Sequence, residues 1–144
     1  MTGSILLVED DADDALLVKE AFAAVGVGDA VRHVKDGEAA VEYLKHEGEF
    51  SDPLQFPTPT LVLLDLRLPK MTGLEILKWM REQAEFKTTV VVVIAGLPLD
   101  SEIQRAYLLG ANSLLVKGTS QDNLDKKIRL IKAYWLEANE SAKP

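Results

Sequence analysis

The chain has no cysteine, which excludes disulfides and thiolate metal sites and leaves the redox compartment undecided. Bases are scarce too: 16 lysines and arginines face 23 acids, giving a net charge of −7. That balance argues against direct binding to nucleic acid or to an anionic membrane, and it favours a cation or a basic partner. Only two histidines occur, His33 and His46. Neither has a second histidine at metal-ligand spacing, so both are read as surface or packing residues. No apolar run approaches the length of a membrane span, and Met1-Thr2-Gly3-Ser4 lacks the basic region of a signal sequence. A soluble, cytoplasmic protein is expected.

What remains is a folding composition, 47% hydrophobic and 27% charged over 144 residues, the size of one ordinary domain. A single domain over residues 1–144 is expected, with its core in about 4–138 and a short polar tail. Three short apolar runs stop abruptly at charge: Ile5-Leu6-Leu7-Val8 at Glu9-Asp10-Asp11, Leu61-Val62-Leu63-Leu64 at Asp65, and Leu114-Leu115-Val116 at Lys117. Such runs, separated by helix-period segments, read as buried parallel strands.

The segments between them have helical spacing. Ala12 to Val25 places Ala15, Leu16, Val18 and Phe22 on a helix closed by Gly26. Asp11, Asp13 and Asp14 read as its cap and first-turn acids. Ala30 to Val34 is a weak strand, and Asp36-Gly37 opens a helix ended near Gly48. Glu49 to Pro59 holds three prolines and is the longest loop. Leu61 to Leu64 is the central strand, Gly73 to Gln83 a helix with Trp79 in the core, and Thr89 to Ile94 a β-branched strand. Asp100 to Leu109 is a helix, Ser113 to Val116 a strand, and Ser120 to about Ala138 the last helix, its core stripe Leu124, Ile128, Ile131 and Trp135.

Five alternating strands and helices with right-handed crossovers predict an α/β fold, a doubly wound five-stranded parallel sheet with the flavodoxin-like order 2-1-3-4-5. The first and third strands then flank the switch point, where ligands bind beyond the carboxyl ends. Glu9, Asp10 and Asp65 become neighbours there. Crowded carboxylates repel unless a cation joins them, and a hard divalent ion held by one or two carboxylates, a carbonyl and waters answers that need. Magnesium is expected, with Asp10 and Asp65 as direct ligands and Glu9 acting through water. Lys117 brings a mobile positive charge for Asp65 or a phosphoryl oxygen, so Asp65 reads as a phosphoryl acceptor.

At these residues the chain resembles the response regulator receiver domains over almost its whole length. The likeness rests on Ile5-Leu6-Leu7-Val8-Glu9-Asp10, on Leu63 through Gly73 around Asp65-Leu66-Arg67-Leu68-Pro69, and on Gly110-Ala111-Asn112-Ser113-Leu114-Leu115-Val116-Lys117. It implies that Asp65 accepts phosphate from a partner histidine kinase, that Glu9 and Asp10 bind magnesium with the backbone carbonyl of Arg67, and that Lys117 binds the phosphate. The long second connection, the Gly-Ala-Asn-Ser turn and the aromatic end of the last helix are similar to single-domain regulators paired with bacteriophytochromes. The chain departs from the family at three positions. Ala95 stands where a Ser or Thr binds a phosphoryl oxygen, Leu114 where an aromatic residue or histidine switches, and Gly118 where a cis-proline follows the lysine. A non-proline cis bond costs roughly 2.5 to 4 kcal/mol, so Lys117-Gly118 is expected to be trans or its loop rebuilt.

Leu130 and Tyr134 form a second stripe on the last helix, and Tyr107 and Leu108 can join it in an apolar face between the fourth and fifth helices, suited to a homodimer. The expected function is a non-enzymatic phosphoacceptor in a two-component relay with output by protein contact. The alternative is a receiver-fold scaffold whose binding does not depend on phosphate. A phosphohydrolase is disfavoured, because Arg67 stands where such enzymes place an acid-base aspartate. The downstream target is not readable from the sequence.

Overall fold

The computed structural model describes residues 3–118 and 120–142. Among them, β1 (Ile5–Val8), β2 (Val31–Val34), β3 (Leu61–Asp65), β4 (Val90–Ala95) and β5 (Ser113–Val116) form one parallel sheet in the order β2-β1-β3-β4-β5. The helices are α1 (Ala12–Ala24), α2 (Gly37–Leu44), α3 (Gly73–Glu82), α4 (Asp100–Leu108) and α5 (Gln121–Ile131). This is the predicted doubly wound order.

The strands were legible as continuous apolar runs because both faces of the sheet are covered. Alternate residues of β1 part to opposite sides. Leu6 and Val8 join Val62, Leu64, Ile76, Leu77, Met80 and Tyr43 beneath α2, α3 and α4, while Ile5 and Leu7 join Leu63, Val18, Phe22, Leu124 and Ile128 beneath α1 and α5. Trp79 packs against the first of these clusters, its ring 5.9 Å from that of Phe86. No helix among the described residues is long and apolar enough to cross a membrane.

Some boundaries shift from expectation. A 3₁₀ turn takes Gly28–Ala30, so β2 starts at Val31, and α2 ends at Leu44, before His46 and Gly48 turn the chain through positive φ. The last helix is regular only to Ile131, after which Lys132–Ala138 continues with wider π-type bonding, ending where Asn139 N–H donates to the Tyr134 carbonyl at 2.6 Å. The extra residue per turn lets Trp135 and Leu136 together lean on the α1/α5 core.

Residues 49–59 hold no strand and no helix beyond the end of the 3₁₀ turn Gly48–Phe50, yet the segment is tied down. Phe56 packs edge to face on both Tyr43 and Phe50, which are themselves tilted by 51°, with all three centroids 5.2 to 5.9 Å apart. The Tyr43 hydroxyl donates to the Pro57 carbonyl, Arg32 Nε to that of Gln55, and His46 Nε2 lies 2.9 Å from that of Phe56. Across the molecule Arg81 joins α3 to the loops around β4 and β5, donating to the carbonyls of Phe86, Thr89 and Gly110 and to Asn112 Oδ1.

Candidate functional site

Strand order brings the charged residues together. β1 lies beside β3 in a register pairing Val8 with Leu64, so Glu9 and Asp65 leave the sheet at one level. β5 ends with Val116 opposite Ala95 of β4, and the Lys117 N–H donates to the Ala95 carbonyl at 2.8 Å. Lys117 therefore enters the same rim from the far side of β4.

Glu9 is 1% exposed and Asp65 7%, whereas Asp10 is open to solvent. One carboxylate oxygen from each lies within 4.8 Å of the others. Lys117 Nζ sits 2.7 Å from Glu9 Oε1, 3.1 Å from Asp14 Oδ2 and 3.8 Å from Asp65 Oδ2. One ammonium thus faces three carboxylates. Burial pushes the Glu9 carboxyl up to about 7, with the hydrogen bond and charge of Asp65 adding and Lys117 opposing. Partial desolvation likewise raises Asp10, helped by the charges of Glu9 and Asp11 against a lowering backbone hydrogen bond. Burial alone would lower Lys117, but its bond to Glu9 and the charges of Asp65 and Glu9 outweigh that and raise it. The ammonium stays protonated. The donor set, all hard oxygen in excess negative charge, fits a divalent cation such as magnesium.

The end of β3 is fixed by its neighbours. Arg67 N–H donates to Asp65 Oδ1 at 3.1 Å, and its guanidinium pairs with Glu102 Oε1 at 2.8 Å. The same Glu102 oxygen accepts from Leu99 N–H at the start of α4, so the segment after Asp65 is joined to that helix. Gly73 opens α3 against the backbone of Asp65: a Cβ there would lie 2.2 Å from the Asp65 carbonyl oxygen. His33 Nε2 lies 2.7 Å from the Glu9 carbonyl, which can only accept, so the ring donates from Nε2 and packs the rim rather than binding metal.

The predicted residues Glu9, Asp10, Asp65 and Lys117 meet here, with Arg67 two positions beyond Asp65. Ala95 is buried, and Leu114 is half-buried against the α2–α4 core, where neither is a mobile polar group. Gly118 has φ 82° after a trans bond, a conformation glycine adopts without strain. Asp11 caps α1, accepting from the N–H groups of Asp13 and Asp14 at 2.9 Å each, and Asp13 and Asp14 are the first-turn acids, as expected. The sequence does not show that the Asp14 side chain also turns to Lys117, a partner far away along the chain. No helical spacing marks it, because the rim acids Glu9 and Asp10 lie before the N-cap Asp11, outside the helix that carries Asp14.

A family model described as the response regulator receiver domain matches residues 5–129. Among curated proteins, the probable methanogenesis regulatory protein FilR2 of Methanothrix harundinacea is 38% identical over 97% of this chain and 88% of its own length. Response regulator Rcp1 of Synechocystis is 34% identical over 92% of this chain and 88% of its own. Its Mn²⁺-bound crystal structure superposes with a TM-score of 0.87 at 32% identity, covering 98% of this chain and 99% of that one. The phosphorylated cyanobacterial phytochrome response regulator RcpA gives a TM-score of 0.90 at 32% identity, covering 99% of this chain and all of the other.

Proposed function

This chain belongs to the response regulator receiver domains of two-component signalling, signalling proteins rather than classical enzymes, and from that membership we propose that Asp65 accepts a phosphoryl group from a histidine kinase with magnesium at the acidic rim. The observation carrying this reading is the convergence of a nearly buried Asp65 with a protonated Lys117 and the Glu9/Asp10 pair. In the reaction an Asp65 carboxylate oxygen attacks the phosphorus of a phosphoimidazole. The P–O bond forms as the P–N bond breaks, and the bonding pair stays on the imidazole nitrogen, which takes a proton from solvent. Because Lys117 is held protonated, it supplies charge to the equatorial oxygens and not a base. Magnesium would be held by Asp10, Asp65 and the Arg67 carbonyl, with Glu9 through water, and supplies further neutralisation of phosphoryl charge. The Mn²⁺-bound form of Rcp1 supports a divalent ion as the ligand of this fold. The cyanobacterial phytochrome response regulator RcpA supports a phytochrome-type kinase, such as a bacteriophytochrome, as the partner.

Magnesium affinity is expected to fall as pH drops below about 7. Glu9 titrates near 7 instead of its ordinary 4.5, so below that range the ion must expel a proton from the rim before the full negative charge is available. Calorimetry at pH 8 and pH 6 in two buffers of different ionisation heat checks this: proton release on binding should appear at the lower pH only. Equal affinity at both would contradict it.

A second reading, contact without a phosphate switch, is favoured by Ala95 and Leu114. A ligand shifts an equilibrium only by its differential contacts, and neither side chain offers the phosphoryl group a polar one. Leu108 and Leu130 are 79% and 67% exposed beside Tyr107 and Tyr134, an apolar face fit for a second copy. The dimer is expected without phosphate. Sedimentation with and without beryllofluoride checks this, and a monomer that pairs only with the mimic would show a switch operating through other groups.

A further inference from the structure

Asp14 does no capping, and its carboxylate spends itself on Lys117 instead. The ammonium has three N–H groups. Glu9 takes one at 2.7 Å and Asp14 another at 3.1 Å, while the nearest Asp65 oxygen, at 3.8 Å, is beyond hydrogen-bond reach. The lysine therefore rests off the acceptor. A phosphoryl group on Asp65 competes with these two partners for the ammonium's position. Glu9 belongs to the metal rim, and a bound cation weakens its hold on a second positive charge. Asp14 lies outside that cluster, among the described residues, and keeps its hold. Asp14 is also the more open of the two, 44% exposed in its side chain, and a cavity of about 200 Å³ bounded by Asp14, Leu17, Lys117, Gly118 and Gln121 leaves the pair room to separate.

We propose that Asp14 is a positioning residue acting through Lys117: it holds the ammonium off the phosphoacceptor until a phosphoryl group competes it away. The inference rests on Asp65 being the acceptor. Asp14 thereby restrains capture of phosphoryl groups, because its hold on the ammonium competes with theirs. Its neighbour Asp13 shares the first turn of α1 but makes no described contact with Lys117, so the effect belongs to the contact and not to charge at the helix end.

The test measures binding of beryllofluoride with magnesium to wild type, Asp14→Asn, Asp14→Glu and Asp13→Asn. Alongside it, ¹H–¹⁵N spectra follow proton exchange of the Lys117 ammonium without the mimic. Asp14→Asn should bind the mimic about 2- to 5-fold more tightly, the range a partly exposed ion pair supports. Its ammonium protons should exchange faster. Asp14→Glu, which keeps the charge on a longer arm, should remain close to wild type, and Asp13→Asn should match wild type in both readouts. Equal tightening in Asp13→Asn and Asp14→Asn would reduce the effect to net charge and overturn the proposal. Weaker or unchanged binding in Asp14→Asn, with wild type binding normally, would overturn the positioning role alone. Failure of wild type to bind the mimic would instead remove the acceptor reading, and the positioning role with it.

Discussion

Asp65→Asn is expected to abolish phosphorylation. Incubated with magnesium and phosphoramidate, the wild-type chain should gain the mass of one phosphate, and the variant should keep its original mass. The expectation follows from position. Asp65 ends a central strand, 3.8 Å from Lys117 and within 4.8 Å of the Glu9 and Asp10 carboxylates. Glu9 is more deeply buried, engages Lys117 directly and is shifted toward its protonated form, which makes it the poorer nucleophile. Asp10 is open to water, and no ammonium contact to it is described. An amide at position 65 is nearly isosteric, keeps the acceptor for Arg67 N–H and removes the nucleophilic charge, so the fold should persist. A stable adduct in the variant would place the acceptor elsewhere.

Lys117→Met should slow phosphorylation by about 10²- to 10³-fold, the usual consequence of deleting one preorganised group that meets developing transition-state charge. Methionine keeps length and loses charge, and the backbone bond from residue 117 to Ala95 is unaffected. Without the ammonium, Glu9 stays buried among carboxylates and its upward shift should grow, since Lys117 is what opposes that shift now. The rate constant with phosphoramidate, measured by stopped-flow or timed intact mass, checks the first claim. A rate within a few-fold of wild type would mean that the lysine only balances Glu9. Lys117→Arg should recover only part of the loss, because a planar guanidinium cannot occupy a point-charge position between Glu9 and Asp14.

The fold was legible because a two-sided parallel sheet leaves an unusual trace in sequence. Leu61 through Leu64 and Val90 through Ala95 are buried at every position, so these strands appear as unbroken apolar runs. The rim was legible for the same reason, since Glu9, Asp65 and Lys117 each end one run. The rest depended on contacts between residues far apart in the chain. The Asp14–Lys117 pair spans 103 positions and the Arg67–Glu102 pair 35, and neither separation carries any periodicity. Residues 49–59 read as an unstructured stretch rich in proline. Phe50 and Phe56 hold it through Tyr43, an aromatic whose hydroxyl and ring face different partners. The last helix was predicted as one regular element because the periods of α and π bonding differ too little over two turns to separate in a stripe of four residues.

The central claim, that Asp65 forms an acyl phosphate, is tested most directly by trapping the bond itself. Borohydride reduces an acyl phosphate but leaves free carboxylates intact, so the wild-type protein, phosphorylated with phosphoramidate in magnesium and then reduced, should yield homoserine at position 65 on peptide mapping. Glu9, Asp10 and Asp14 should remain unmodified. Homoserine at another aspartate, or an unmodified Asp65 in protein that carries phosphate, would contradict the account.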